Sequence, residues 1–451
     1  MAPRMPLPRL RILLCGLLGL ALASFARAEP AVVPRALSLS EALRLARERH
    51  VQVLVSQERV RQALARIAQV KSGLYPSFDA AVSQYRKTVN LEAFGIDPGT
   101  PGFDLTPPPF NVFDARLKLQ QTLFDLTLFR RLDAARSGQR LSAAEQEKAE
   151  ADALALVANL YLEAQRAQEA VEYAQYLQKR DGARLGIADS QLRLGLGSDF
   201  DVTGARAALA DSRSLVARVR AEAEERRLDL AAALGLPVDQ PLSFTTRDPW
   251  LRRKPPQDGE LDSLLASHPD VLVAQRQVET QVQQRRQEVA EYYPKLGASA
   301  DVGASGPDPG NVTDTYSFGG QLSIPIYQGG LRKARVQEAS SKIRESEAQL
   351  EQTRRDRLAE AKSALVALRQ AEEGYRAAQA DLAKAAQGLG LARERRGIGV
   401  GSDLEVIEAQ ATWASAKDQS SEALATYRLA WVNLQYRLGR MGPWLEEMER
   451  P

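Results

Sequence analysis

Thiols are all but absent from this chain of 451 residues, which has one cysteine, Cys15, and two histidines, His50 and His268. Cys15 lies in an apolar stretch, Ile12 to Phe25, preceded by Arg4, Arg9 and Arg11 and closed by Ala26-Arg27-Ala28. A basic start, a short apolar centre and a small-x-small site read as a secretory signal peptide over residues 1–28, with Glu29 opening the mature chain. The surroundings of Cys15 do not fit lipid attachment, because bulky Leu14 precedes it and the apolar run continues beyond it. A mature chain without a thiol excludes disulfides, iron–sulfur clusters and thiolate zinc sites.

Other shortages narrow the function further. His50 and His268 hold equivalent places near helix starts, and neither has a histidine or carboxylate at metal-ligand spacing, so no metal or other cofactor is expected. The Gly-x-Gly-Ser segments at 195 and 399 follow helices and read as turns, not phosphate loops. Nothing arranges serine, histidine and aspartate as a nucleophile elbow, so the chain is not expected to be an enzyme. After residue 28 no run of 18 apolar residues occurs, which rules out a membrane-spanning helix. A secreted chain of this kind is periplasmic, extracellular, or inserted in an outer membrane as a β-barrel. Charge of one sign is lacking too. The whole chain has 60 basic and 57 acidic residues, but residues 1–28 hold four arginines and no acid, which leaves 56 against 57. Nucleic-acid binding gains no support from that balance.

What the chain does have is repetition. His50-Val-Gln-Val-Leu-Val55 recurs as His268-Pro-Asp-Val-Leu-Val273, and Tyr75-Pro76 as Tyr293-Pro294, both 218 residues on. Gly197-Ser-Asp-Phe-Asp-Val202 recurs as Gly401-Ser-Asp-Leu-Glu-Val406, and Leu234-Gly235 as Leu438-Gly439, both 204 residues on. The shorter second offset places an insertion in the first copy, and the proline-rich residues 87–110 are where it falls. The domains are therefore residues 29–235 and 259–440, joined by an irregular equatorial linker at 236–258 and followed by a tail at 441–451.

Each copy predicts a helix, a strand pair, a very long helix, a turn and a further helix. Ser38-Leu-Ser-Glu41 is a capping-box pattern that opens a helix over 38–74, which Pro76 stops. Residues 126–194 contain no proline, and 329–398 carry a coiled-coil seam: Leu358, Ala361, Leu365, Leu368, Ala371, Tyr375, Ala378, Leu382, Ala385 and Leu389. Each long helix would reach roughly 100 Å, and the shorter ones at 38–74, 199–234, 261–293 and 403–438 about 50–55 Å. Two short rods laid end to end match one long rod, as in the wall of a tube.

Four segments switch to a period of two, near 77–86, 112–124, 296–305 and 314–324. Leu296, Ala298, Ala300 and Val302 alternate with Gly297, Ser299 and Asp301, and Tyr316, Phe318, Gly320 and Leu322 with Ser317, Gly319 and Gln321. One apolar face and one polar face suit a strand between lipid and a wet lumen. Four strands leave two open edges, and about eight is the minimum for a closed barrel, so several chains must share one.

Taken together, the signal peptide, the repeated Tyr-Pro before each first strand, Leu322-Ser-Ile-Pro-Ile-Tyr-Gln-Gly-Gly330 and the two Gly-x-Gly-Ser-Asp turns resemble the TolC-type outer-membrane efflux proteins over nearly all of residues 38–439. The resemblance implies a mainly α fold with a membrane β-barrel portion. Three chains would form a 12-strand barrel in the outer membrane above a 12-helix barrel in the periplasm. It also implies that the duct works with a periplasmic adaptor and an inner-membrane pump, in efflux or type I secretion. The entrance would lie at the turns that hold Gly195, Gly197 and Asp199, and Gly399, Gly401 and Asp403. There Glu405 and Glu408 match an acidic, cation-selecting ring; three residues apart on one helix, they share a face. Asp201 matches an aspartate that helps hold the entrance shut. Arg396 and Gly401 stand where its aromatic and arginine partners belong, which leaves Arg396 as the candidate partner. Carboxylates after a glycine turn are also ordinary helix caps, so for Asp199 and Asp403 capping and pore roles both stand. The alternative from another class is a soluble periplasmic coiled-coil adaptor or scaffold.

Overall fold

A computed structural model describes residues 35–91, 108–245 and 254–449, together with positions 93, 95, 106 and 251. The expected signal peptide with Cys15, most of the 87–110 insertion and Arg252-Arg253 lie outside the described residues. In chain order the elements are β1 (Arg35–Leu37), α1 (Leu39–Arg49), α2 (Val51–Ser72), β2 (Ser77–Lys87), β3 (Phe110–Asp125), α3 (Leu126–Arg193) and α4 (Asp199–Ala233). There follow β4 (Leu242–Phe244), α5 (Leu261–Leu265), α6 (Pro269–Ala290), β5 (Lys295–Asp308), β6 (Asn311–Ser323), α7 (Leu331–Gly397), α8 (Asp403–Arg437) and α9 (Met441–Glu449).

The long helices α3 and α7 have 68 and 67 residues, which makes each a rod of roughly 100 Å. Short helices flank them in alternation. Nearest the sheet the lateral order is α2, α3, α6, α7; farther away it is α4, α3, α8, α7. The result is a wall four helices wide, with α3 and α7 running its full height. The seam residues Leu358 to Leu389 on α7 are all buried or half-buried, and α8 is the helix packed alongside.

Two expected helices are broken. In place of one helix over 38–74, α1 ends at Arg49 and α2 starts at Val51, because His50 sits between them with an extended backbone (φ −63°, ψ 130°). Its Nδ1 accepts the Gln52 N–H at 3.3 Å and so caps α2. The expected helix over 261–293 likewise divides into α5 and α6, and His268 caps α6 by accepting the Asp270 N–H at 3.1 Å. Apolar spacing stays helical on both sides of each histidine, so periodicity alone does not mark the breaks, although Pro269 at the first position of α6 is a local stop signal for the second one. The stacked short rods α2 and α6 are therefore 22 residues each, about 33 Å.

The freed segment α1 joins a waist. Leu43 from α1, Leu154 and Tyr161 from α3, Leu230 from α4, Leu365 and Leu368 from α7 and Trp431 from α8 form one buried cluster there. β1 pairs in parallel with β4 from the linker, and the Tyr161 hydroxyl donates to the Leu37 and Thr245 carbonyls at 2.9 and 3.1 Å, bridging the two segments. The linker read as irregular thus contributes a strand. Residues 441–451, read as a tail, hold α9, whose Met441, Trp444 and Leu445 are buried in the same core. Above the wall the remaining strands form one antiparallel sheet in the order β2-β3-β5-β6, so β2 and β6 are its two edges.

Candidate functional site

Two regions carry functional geometry: the sheet and the far tip of the wall. On the sheet, register decides which side chains share a face. Phe78 pairs with Leu119, Leu119 with Ala300 and Ala300 with Phe318; one step along, Ala80, Leu117, Val302 and Tyr316 line up in the same way. Among the described residues nothing covers the aromatic and aliphatic side chains of this apolar face. Phe78 is 66% exposed, Val82 72%, Tyr316 78% and Phe318 82%. Exposed rings and aliphatics in register across four strands match the lipid side of a membrane sheet. The opposite face is polar, with Asp79, Lys118, Asp301 and Ser317 in one row. No helix among the described residues is long and apolar enough to cross a membrane.

At the tip, α3 turns into α4 and α7 into α8 in the same way. α3 ends on Gly195, which has a left-handed backbone (φ +71°); its N–H donates to the Leu192 carbonyl and that of Leu196 to Gln191, satisfying carbonyls that the helix end leaves over. Gly399 (φ +77°) repeats this at the end of α7, with the Val400 N–H on the Arg395 carbonyl at 2.9 Å. Gly197 and Gly401 sit against the preceding helix end. A Cβ on Gly401 would come within 2.9 Å of the Arg396 nitrogen, and one on Gly197 within 3.2 Å of the Gln191 Cβ.

Four of the five acids after the turns have partners: Asp201, Asp403, Glu405 and Glu408. The Ser198 hydroxyl accepts the Asp201 N–H at 3.2 Å, and the Asp201 carboxylate accepts the Ser198 N–H at 3.1 Å and its hydroxyl at 2.6 Å. That reciprocal capping box holds the Asp201 carboxyl below the usual aspartate range, chiefly through the Ser198 hydroxyl. Ser402 caps α8 by accepting the Glu405 N–H at 3.1 Å. Glu405 Oε1 is 2.9 Å from Arg395, Asp403 pairs closely with Arg396, and Glu408 lies 3.8 Å from Arg184 of α3. Within one chain, then, Arg396 turns to Asp403 and Asp201 to Ser198. Asp199 and Asp201 have no ion pair among the described residues.

The sequence drew attention to the acids but not to Arg395 and Arg184, which face them. Arg395 is the neighbour of Arg396, and Arg184 lies on α3, 224 residues before Glu408. Arg184 and the edge-on Tyr176–Trp413 pair (6.3 Å) bind the lower part of α3 to the start of α8, bringing both turns to one end of the molecule. Between α3, α7 and α8 an open groove of about 940 Å³ runs past Leu177, Arg180, Lys384, Leu389 and Ala409.

The sequence profile of the outer membrane efflux protein family matches residues 42–236 and 261–440. The chain belongs to this family. Among its relatives, the alkaline protease secretion protein AprF of Pseudomonas aeruginosa is 24% identical over 349 residues, covering 73% of this chain and 70% of AprF. The probable efflux pump outer membrane protein TtgC of Pseudomonas putida is 26% identical over 302 residues, covering 65% of this chain and 61% of TtgC. The fold matches the crystal structure of the Campylobacter jejuni CmeC outer membrane channel with a TM-score of 0.73 at 19% identity, covering 91% of this chain and 89% of that one. Membership in the outer membrane efflux protein family places the chain in the outer membrane as a channel component, with its helical wall toward the periplasm. An adaptor scaffold, the alternative from the sequence, has no use for an exposed apolar sheet face.

Proposed function

We propose that three copies of this chain close into one passive duct, which carries cargo from a periplasmic adaptor and inner-membrane pump to the exterior. The observation that carries this reading is the sheet: one exposed apolar face, and β2 and β6 as open edges. Because the four strands alternate in direction, β6 of one copy meets β2 of the next antiparallel, and three copies supply twelve strands without a leftover edge. Beneath them, four helices from each copy would complete a ring of twelve, α7 of one against α2 and α4 of the next. The duct performs no chemistry; it offers water a path with a charged mouth.

At that mouth the turns at 195–199 and 399–403 form the rim. Asp201, Glu405 and Glu408 are the acids that set its charge, with Arg184, Arg395 and Arg396 opposing part of it. The groove beside Leu177 and Leu389 offers a partner helix an apolar seat flanked by charges of both signs. AprF is named for protease secretion and TtgC for an efflux pump; in this reading the pump that docks decides the cargo.

Cell fractionation tests the assembly. The expected result is recovery with the outer membrane and extraction only by detergent, as a trimer by light scattering. Quantitative recovery of monomer from the soluble periplasm would overturn it.

A further inference from the structure

The polar face of the sheet holds a charge cluster that neither the helical tip nor membrane insertion calls for. Arg116 of β3 donates from Nη2 and Nε to Asp114 at 3.0 and 3.3 Å, from Nη1 to Asp301 of β5, and from Nη2 to Thr315 of β6 at 3.3 Å. Ser317 of β6 donates to the other oxygen of Asp301. The guanidinium crosses β5 at Gly303, the Arg116 register partner. There the strands run so close that a Cβ would lie 2.3 Å from the Ala115 carbonyl oxygen. One row nearer the helices, Lys118 stands opposite Asp79 on one side and Asp301 on the other.

We infer that this belt of Asp79, Asp114, Arg116, Lys118 and Asp301 is a second charge filter, inside the membrane part of the duct, in which Arg116 and Lys118 set how strongly the lumen prefers cations. The inference rests on the trimeric duct proposed above, since only there does the polar face enclose water. Three carboxylates against two cations leave one net negative charge per chain. Twelve strands spaced about 4.8 Å apart and tilted about 40° give a barrel radius of roughly 12 Å. Side chains narrow it further, so the lumen lies within about one Debye length of the belt at 0.1 M salt, near 10 Å. Low-dielectric walls focus that field on passing ions. Arg116 covers two carboxylates at once, so its neutral replacement doubles the net negative charge of the belt.

The test is the reversal potential of purified protein in planar bilayers across a KCl gradient, in the Glu405→Ala/Glu408→Ala background so that the entrance does not mask the barrel. Arg116→Gln and Lys118→Gln should each raise the cation-to-anion permeability ratio by about twofold or more. Asp301→Asn should lower it, and Arg116→Lys should leave it close to the parent value. Lys118 makes no ion pair among the described residues, so Lys118→Gln decides the matter even where Arg116→Gln fails to insert. An unmoved ratio in Lys118→Gln overturns the filter while conducting parent channels keep the duct; a parent that forms no channels overturns both.

Discussion

Trp444 offers the sharpest check on the waist, because it lies in a segment whose sequence reads as a tail. It is 2% exposed and packs with Met441 and Leu445 into the core shared by α1, α3 and α8. A tryptophan buries roughly 150–250 Å² on folding, worth about 4–6 kcal/mol at ~25 cal/mol per Å². Truncations of such rings to alanine cost about 3–5 kcal/mol. Trp444→Ala should therefore lose about 4 kcal/mol per chain, read as a lower denaturant midpoint with an unchanged slope in detergent-solubilised protein followed by helical circular dichroism. Glu446→Ala, on the opposite side of α9 and exposed, is the control and should stay within about 0.5 kcal/mol. If Trp444→Ala stays within that same band, α9 is an ornament and the waist is closed without it.

At the mouth, Glu405→Ala with Glu408→Ala should lower cation preference in planar-bilayer conductance, and unchanged selectivity would remove both from the rim. Gly399→Ala forces a side chain into the left-handed region and should destabilise the turn by roughly 1–2 kcal/mol; faster tryptic cleavage at Arg395 and Arg396 is the readout, and an unaltered rate would show that the turn absorbs it. At the α6 cap, burial, aided by Arg357, pushes the His268 imidazole below its ordinary pKa, against the opposing pull of Asp270. The unfolded chain then binds a proton below about pH 6.5 that the folded chain refuses, so stability falls as pH drops through 6.5 toward the depressed folded value. His268→Asn keeps a cap and removes the titration. Its denaturation midpoint should fall less than the parent's between pH 7 and 5.5, and identical slopes would refute this assignment.

By itself the sequence determined the two repeats, the four strands and the two long helices. Each is written in local periodicity: a step of two through Leu296 to Val302, a step of three or four through Leu358 to Leu389, and proline or glycine where the backbone must turn. The tertiary structure decided most of the rest. Whether His50 interrupts a helix depends on a side-chain cap competing with one turn of backbone, and the pattern on either side is the same in both cases; at His268 the stop is also written locally, in Pro269 at the first position of α6. Whether residues 441–449 hang free or close the waist depends on which surfaces of α1, α3 and α8 remain to be covered. Arg184 finds Glu408, and Arg116 reaches Thr315, across 224 and 199 residues. Pairings of that kind are set by how rods and strands lie side by side, and no local period encodes them.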